Sequence, residues 1–169
     1  MDVNAPYDNY PKTHFGEDIA KRKLQYLFRK ANYRPSLMTE EERNKLIDAY
    51  DNSIRNLDRQ IEQLISEIPE DTTVIIVGDH GELFGEYGRY EHSRKLVDEL
   101  LEVPLIIKNG EDKEVEKPVS TIDIAPTIAE RYKTQLDCDG ISLETEESGI
   151  TEASCSKFWQ RMKRKITVE

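Results

Sequence analysis

Cysteine, histidine and tryptophan are all scarce in this chain of 169 residues. It has two cysteines, three histidines and one tryptophan. Cys138 and Cys155 lie in unrelated sequence contexts, so the chain offers no disulfide framework. Two cysteines without a disulfide framework are typical of a protein in a reducing compartment.

Long apolar runs are also missing. No apolar segment approaches the length of a bilayer span, and residues 1–20 show no signal-peptide pattern. We therefore expect no membrane span in this chain and a cytoplasmic location for the chain as given. A missing amino-terminal half could have carried a leader of its own, in which case the location is open.

Positive charge is in deficit: 24 basic residues stand against 34 acidic ones, a net charge of −10. Nucleic-acid binding depends largely on neutralising phosphates, so nucleic acid is not an expected partner. The length suggests one domain with a real core. A mean hydropathy of −0.72 is polar for a free-standing globule, and a half-domain that has lost its partner surface would show the same balance.

The most informative segment is a short β-branched strand followed by a polar turn. A strand is predicted over residues 73–78, and Asp79, His80 and Gly81 follow it directly. Ligands of α/β proteins collect beyond the carboxyl ends of strands, and an adjacent carboxylate and imidazole suit one divalent metal ion. Gly81 keeps the backbone small where an ion or substrate would approach. The alternative is an ordinary polar turn in which His80 caps local structure.

The clearest helix is predicted over residues 40–68. Thr39 and Glu42 form a capping-box pattern, apolar residues recur at three- and four-residue steps, and Pro69 follows. We expect this apolar stripe to pack on a mixed sheet whose central strand covers 74–77, which makes the fold α/β. The other predicted elements are helices at 18–32, 94–101 and 121–132 and strands at 103–108 and 115–120.

The order of motifs resembles the sulfatase family of the alkaline phosphatase superfamily. In that family Asp-His-Gly is followed by Gly-Glu-x-Gly, a basic residue, Val-Pro-Leu-Ile, Asp-x-x-Pro-Thr and Asp-Gly-x-Ser-Leu. The matching segments here start, in the same order, at Asp79, Gly85, His92, Val103, Asp123 and Asp139. An upstream segment ending in Pro6-Tyr7 is similar to the family's His-x-Pro-Tyr. The resemblance therefore covers about residues 1–143 and leaves 144–169 as a polar linker and tail.

The resemblance implies a partial sulfatase-like fold, a mixed sheet flanked by helices, and hydrolysis of sulfate esters. Carried over by position, Asp79 and His80 would bind a divalent metal ion, which could be calcium, magnesium, manganese or zinc. His92 would be the basic catalytic residue at the transferred group, where an imidazolium can stabilise or protonate the leaving oxygen of a sulfate or phosphate ester. The alternative for His92 is a surface residue in a loop. Glu82 is interpreted as a first-turn carboxylate near a helix N-terminus, and Asp123 as a helix-start residue.

The family's nucleophile segment, Cys/Ser-x-Pro-x-Arg, has no match in this chain, and neither does its early Asp-Asp-type pair. Asn4 stands where the family usually carries a histidine, and an amide cannot shuttle a proton. We therefore interpret 1–143 as the carboxyl-terminal portion of a catalytic domain and expect the isolated chain to be inactive. The alternatives are a non-catalytic remnant, a subunit completed by a partner such as the missing amino-terminal half, or a related phosphodiesterase, phosphonate hydrolase or phosphoglycerol transferase.

Overall fold

Two compact units make up the chain. The computed structural model describes residues 3, 5–8, 13–92, 96–109 and 119–145, together with the backbone of 166–167. The first unit contains Met1–Glu70 and Glu82–Ser93, and the second contains Asp71–Gly81 and Arg94–Glu169. The chain therefore leaves the first unit after Glu70 and returns to it at Glu82.

The first unit is built on two helices, α1 (Lys21–Tyr33) and α2 (Glu40–Glu67), with a 3-10 turn at Pro35–Leu37 between them. The predicted capping box is confirmed, because the Thr39 hydroxyl accepts the Glu42 N–H at 3.2 Å and Glu42 Oε2 accepts the Thr39 N–H at 3.0 Å. Helix α2 ends one residue short of the predicted end, just before the segment that leads into Pro69.

The core of the first unit lies between these helices and aromatic side chains from both ends of the unit. Its buried members are Tyr7, Leu24, Leu27, Phe28, Ala31, Leu46, Ala49 and Tyr90. The ring centroids of Tyr7 and Phe28 are 4.8 Å apart, in an edge-to-face arrangement. Asn52 of α2 is buried as well: its Oδ1 accepts the N–H groups of His14 at 2.6 Å and Phe15 at 3.1 Å, and its Nδ2 donates to the Phe15 carbonyl at 2.9 Å.

The apolar stripe of α2 is only partly buried within its own unit. The buried residues of α2 end at Ser53, whereas Ile54 and Leu64 are 41% and 54% exposed. The packing of this stripe on the sheet stays a prediction, because α2 and the sheet belong to different units.

The second unit contains the sheet, with β1 (Val74–Val77), β2 (Leu105–Lys108) and β3 (Ile166–Thr167) in that order. Strands β1 and β2 are antiparallel, with Val77 opposite Leu105, and β2 and β3 are parallel. The α/β class and the mixed sheet are thus confirmed. The predicted central position of 74–77 is wrong for the described strands, since β2 is the middle strand and β1 lies at the edge.

Two short helices accompany the sheet, α3 (Asp98–Leu101) and α4 (Ile124–Arg131), the second preceded by a 3-10 turn at Thr121–Asp123. Only residues 119 and 120 of the predicted strand 115–120 lie within the described part of the chain. Residues 94 and 95 of the predicted helix 94–101 lie outside that part, as does residue 93 before it. Strand β3 arises in the segment interpreted as a polar tail, where two residues are too few for a periodic signal. Among the described residues, no helix is both long and apolar enough to cross a bilayer.

A buried carboxylate organises the end of the second unit. Asp123 is 7% exposed, and its two oxygens accept the N–H groups of Ser120 at 2.8 Å and Ile141 at 3.0 Å. Thr127, one turn later, accepts the Leu143 N–H through its hydroxyl at 2.9 Å. Asp123 is therefore a helix-start residue, as the sequence indicated, and it also fastens the Asp139–Leu143 segment beside α4.

The Glu42 carboxylate also connects the two helices of the first unit. Lys30 Nζ of α1 donates to both of its oxygens, at 2.7 and 2.6 Å. The hydrogen bond from Lys30, followed by that from the Thr39 N–H, lowers the pKa of Glu42. The folded chain therefore favours the ionised form more than the unfolded chain does.

We expect Glu42→Gln to lower the free energy of unfolding by about 1 kcal/mol at neutral pH, because glutamine keeps the cap and loses the charge-assisted pair. A carboxyl with a lowered pKa contributes stability above its unfolded pKa of about 4.3 and loses it as the pH falls. The difference between variant and wild type should therefore shrink in acid. Urea unfolding at neutral pH and at a pH about 1 unit below the ordinary glutamate pKa measures this, with Glu40→Gln, an exposed glutamate in the same helical turn, as the control. An equal difference at both pH values would contradict the assignment.

Candidate metal and substrate site

The turn after β1 is held tightly against the chain that leads into β2. The Gly78 N–H donates to the Pro104 carbonyl at 3.0 Å, and the Gly81 N–H donates to the Leu100 carbonyl at 2.9 Å. A Cβ atom at Gly81 would lie 2.0 Å from the Glu99 carbonyl oxygen. The absence of a side chain at Gly81 is thus required by the backbone of α3, a reason different from the approach of an ion that the sequence suggested.

Asp79 and His80 emerge from this turn side by side. Asp79 Oδ1 accepts the His80 N–H at 3.0 Å, and Nδ1 of His80 lies 2.8 Å from the Gly81 carbonyl oxygen. A carbonyl only accepts, so Nδ1 carries the proton and Nε2 of the neutral ring keeps its lone pair. This is the arrangement of a metal-binding histidine whose second nitrogen is fixed by the protein backbone.

The two potential donor atoms suit a single ion. Nε2 of His80 is 3.9 Å from Oδ2 of Asp79, and the Asp79 side chain is 91% exposed. Two donors of a tetrahedral zinc ion with bonds of about 2.0–2.2 Å lie roughly 3.4 Å apart. One ion can therefore contact both atoms after a small closing movement of the exposed Asp79 side chain.

The ligand set is incomplete within the described ranges. No group of three or more His, Cys, Asp or Glu side chains is arranged there to hold a metal ion. Zinc takes at least three protein ligands and calcium takes six to eight oxygens, so two donors fit only as part of a site. Metal binding at Asp79 and His80 stays a prediction.

His92 lies in the first unit, at the end of a loop that α2 anchors. Arg43 of α2 donates through Nε to the Phe84 carbonyl and through Nη2 to Glu86 Oε1 at 3.0 Å. Burial alone would raise the pKa of Glu86, but the Phe84 N–H, the Glu86 N–H and Arg43 together lower it. Tyr87 adopts a left-handed conformation with φ of 57°. Arg43 therefore anchors the loop through its hydrogen bonds, and Tyr87 forms a turn with a backbone conformation that is uncommon for a bulky residue.

His92 lines a cavity of about 440 Å³ in the first unit. Polar and charged side chains from α1 and the loop share its wall: Asn32, Tyr87, Arg89 and Glu91. Asn32 Nδ2 donates to Glu91 Oε1 at 2.7 Å, which fixes one side of the opening. A cavity with this lining can receive a small anionic group.

Glu82 is the residue that the sequence interpretation misjudged. It begins no helix, and its side chain is only 3% exposed. The Tyr7 hydroxyl donates to Oε2 at 2.5 Å, and Nδ1 of His92 lies 3.5 Å from Oε1. Burial, followed by the hydrogen bond to Glu82, raises the pKa of Tyr7, so the hydroxyl stays a donor. Since Tyr7 and Glu82 are 75 positions apart, no local pattern could have paired them.

The predicted site residues thus fall into two groups. Asp79 and His80 adjoin each other in the second unit, and His92 joins Glu82 and Tyr7 in the first. The convergence of His92 with the metal-binding pair stays a prediction, because the three residues are divided between the units. Asn4 lies outside the described residues.

A model of a protein family described as Sulfatase matches residues 4–133. The chain is similar to the protein named uncharacterized sulfatase YidJ of Escherichia coli K12, with 39% identity over 72 residues, which is 41% of this chain and 14% of that protein. It is also similar to the low-salt glycan biosynthesis sulfotransferase Agl7 of Haloferax volcanii, with 37% identity over 102 residues, 54% of this chain and 25% of that protein. The chain therefore spans at most about a quarter of either relative. No solved structure matches it.

We expect Gly81→Ala to lower the free energy of unfolding by about 1–3 kcal/mol, because the new Cβ would collide with a backbone carbonyl that cannot rotate away. Gly88→Asn is the matched control, since a Cβ there would meet nothing within 4 Å and asparagine tolerates the left-handed conformation. Thermal unfolding followed by circular dichroism measures both. Equal melting temperatures for Gly81→Ala and wild type would show that the contact with α3 is absent.

Proposed function

The chain belongs to the sulfatase family, and on that premise we propose that it is the carboxyl-terminal portion of a metal-dependent hydrolase of sulfate esters. The observation that carries the proposal is the Asp79–His80 pair, whose donor atoms lie 3.9 Å apart at the carboxyl end of β1. A carboxylate and a neutral imidazole in this position suit a divalent ion that faces an anionic ester.

The candidate residues of this chain would have separate roles in the reaction. Asp79 Oδ2 and His80 Nε2 would hold the ion, which when bound supplies positive charge toward an oxygen of the sulfate group. His92 would stabilise or protonate the leaving oxygen. Arg89, in the cavity wall beside His92, adds positive charge for a group that carries a negative one.

The nucleophile and the remaining metal ligands would come from residues outside this chain. The absence of a Cys/Ser-x-Pro-x-Arg segment supports this, together with a coverage of only 14% and 25% of the two relatives. Strand β1 points the same way. Its sequence Val-Ile-Ile-Val is typical of a strand covered on both faces, yet Val77 is 40% exposed in the described part of the chain. Segments from outside this chain would cover that face.

Transfer of the sulfuryl group to an acceptor other than water is the second candidate function. It is favoured by the relative from Haloferax volcanii, which is named a sulfotransferase and is 37% identical to this chain over 102 residues. The two reactions differ in the acceptor and need the same charge stabilisation at the sulfate group.

We expect the 169-residue chain to bind a divalent cation weakly and to leave aryl sulfates unhydrolysed, because two ligands are too few and no nucleophile is present. Calorimetry with manganese or zinc, compared with Asp79→Asn, measures the first point. An aryl sulfate assay with calcium, magnesium, manganese or zinc measures the second. Robust turnover by this chain that is lost in His92→Ala would contradict the proposed division of the site.

The sulfate specificity is tested on the same chain supplemented with an amino-terminal portion of a sulfatase-family catalytic domain that carries the Cys/Ser-x-Pro-x-Arg segment. Hydrolysis of an aryl sulfate that depends on Asp79, His80 and His92 would support the proposal. Hydrolysis of aryl phosphates or phosphodiesters alone would place the substrate in the phosphate class instead. Release of sulfate only when an added alcohol or sugar is present would favour the transferase.

A further inference from the structure

We propose that Glu82 is a positioning residue that, held by Tyr7, orients the His92 ring and determines which of its nitrogens carries the proton. The inference rests on the role of His92 in the proposed function. It gives a role to Glu82, a buried carboxylate that is not one of the predicted metal ligands.

The burial of Glu82 is the first observation. A carboxylate that is 3% exposed lies among aromatic side chains of the first unit, and burying it costs free energy unless donors surround it. The Tyr7 hydroxyl donates a hydrogen bond to Oε2, and Nδ1 of His92 lies at an ion-pair distance of 3.5 Å from Oε1, longer than a normal hydrogen bond. Glu82 is thus held from the Tyr7 side, with its second oxygen directed at His92.

The direction of the hydrogen bonds is the second observation. The Tyr7 hydroxyl donates to Oε2, and a carboxylate oxygen can only accept, so the contact of Oε1 with Nδ1 of His92 at 3.5 Å is favourable when Nδ1 carries a hydrogen. Nδ1 then carries a hydrogen whether the ring is neutral or charged. Nε2 is left as the nitrogen available to the cavity that His92 lines, either as an acceptor or, in the charged ring, as the donor to a leaving oxygen.

The Tyr7 hydroxyl sets the orientation of the carboxylate in turn. Its ring is fixed by packing on Phe28 at 4.8 Å and on Tyr50 at 5.2 Å between centroids, and the residue is 1% exposed. The hydroxyl therefore has little freedom, and Oε2 is the oxygen it occupies. This leaves Oε1 for His92. A purely structural link between Tyr7 and Glu82 would place no demand on the tautomer of His92.

The test is the tautomer of His92, measured by proton–nitrogen correlation spectra of the histidine rings in the full 169-residue chain. The chain has only three histidines, His14, His80 and His92, so His92→Gln identifies the signals. At a pH about 2 units above the ordinary histidine pKa of about 6.5, the neutral ring should carry its proton on Nδ1. A proton on Nε2 in the wild type would overturn the proposal by itself, without any variant.

Glu82→Gln should invert the tautomer. The Tyr7 hydroxyl would still donate to the amide oxygen, which turns the amide NH₂ toward His92, and an NH₂ group cannot accept from Nδ1. The proton should therefore move to Nε2. An unchanged tautomer ratio in a folded Glu82→Gln variant would also overturn the proposal.

Two further variants separate the role of Tyr7 from that of the fold. In the double variant Tyr7→Phe with Glu82→Gln, the amide is free to turn its oxygen to His92, so the inversion should be reduced. Tyr90→Phe is the matched control in the same core and should leave the tautomer unchanged. An inversion of equal size with and without the Tyr7 hydroxyl would refute the part assigned to Tyr7. These spectra do not depend on turnover, so a protein without sulfatase activity would refute the proposed function and leave this result standing.

Discussion

A buried carboxylate with distant partners is the constraint on which the first unit depends. Glu82 is the residue at which the chain re-enters this unit, and it meets the hydroxyl of Tyr7 from the start of the chain and the imidazole of His92 from the end of the loop. The surrounding core of helices α1 and α2 is apolar, so burying a carboxylate there costs free energy, which the hydrogen bond from Tyr7 and the contact with His92 offset in part. The candidate catalytic histidine is consequently attached to the core and not only to a surface loop.

The second unit uses the same device. Asp123 accepts backbone N–H groups from the turn before α4 and from Ile141, and Thr127 adds a bond to Leu143. In each unit one buried acidic residue joins segments that are far apart in the sequence. Both residues have a structural role that needs no contact with a substrate. Asp79 differs from both, since it is exposed and therefore suited to a ligand from outside.

The candidate functional residues lie on two segments of the chain. The turn after β1 presents a carboxylate oxygen and an imidazole nitrogen whose metal binding stays a prediction, and the loop of the first unit presents His92 beside a polar cavity. Both segments lie within the residues that the family model matches. The sequence contains no Cys/Ser-x-Pro-x-Arg segment, and the chain spans 14% and 25% of the two relatives.

The sequence by itself determined the features that depend on neighbours along the chain. The capping box of Thr39 and Glu42 with the apolar stripe behind it predicted α2 to within one residue, and the run from Val74 to Val77 predicted β1. The motif order identified the family and named Asp79, His80 and His92, whose roles stay predictions. These signals are local, because helix periodicity, capping and strand propensity arise within a few residues.

Only the tertiary structure decided what lies between distant segments. It placed β1 at the edge of the described sheet and showed that the backbone of α3 leaves no room for a side chain at Gly81. It also showed that Glu82, interpreted from the sequence as a first-turn carboxylate, is buried beside Tyr7 and His92. A glutamate has the same local propensity whether it caps a helix or lies in a core. Its burial depends on which side chains the fold brings to it, and that is settled by packing between segments up to 75 residues apart.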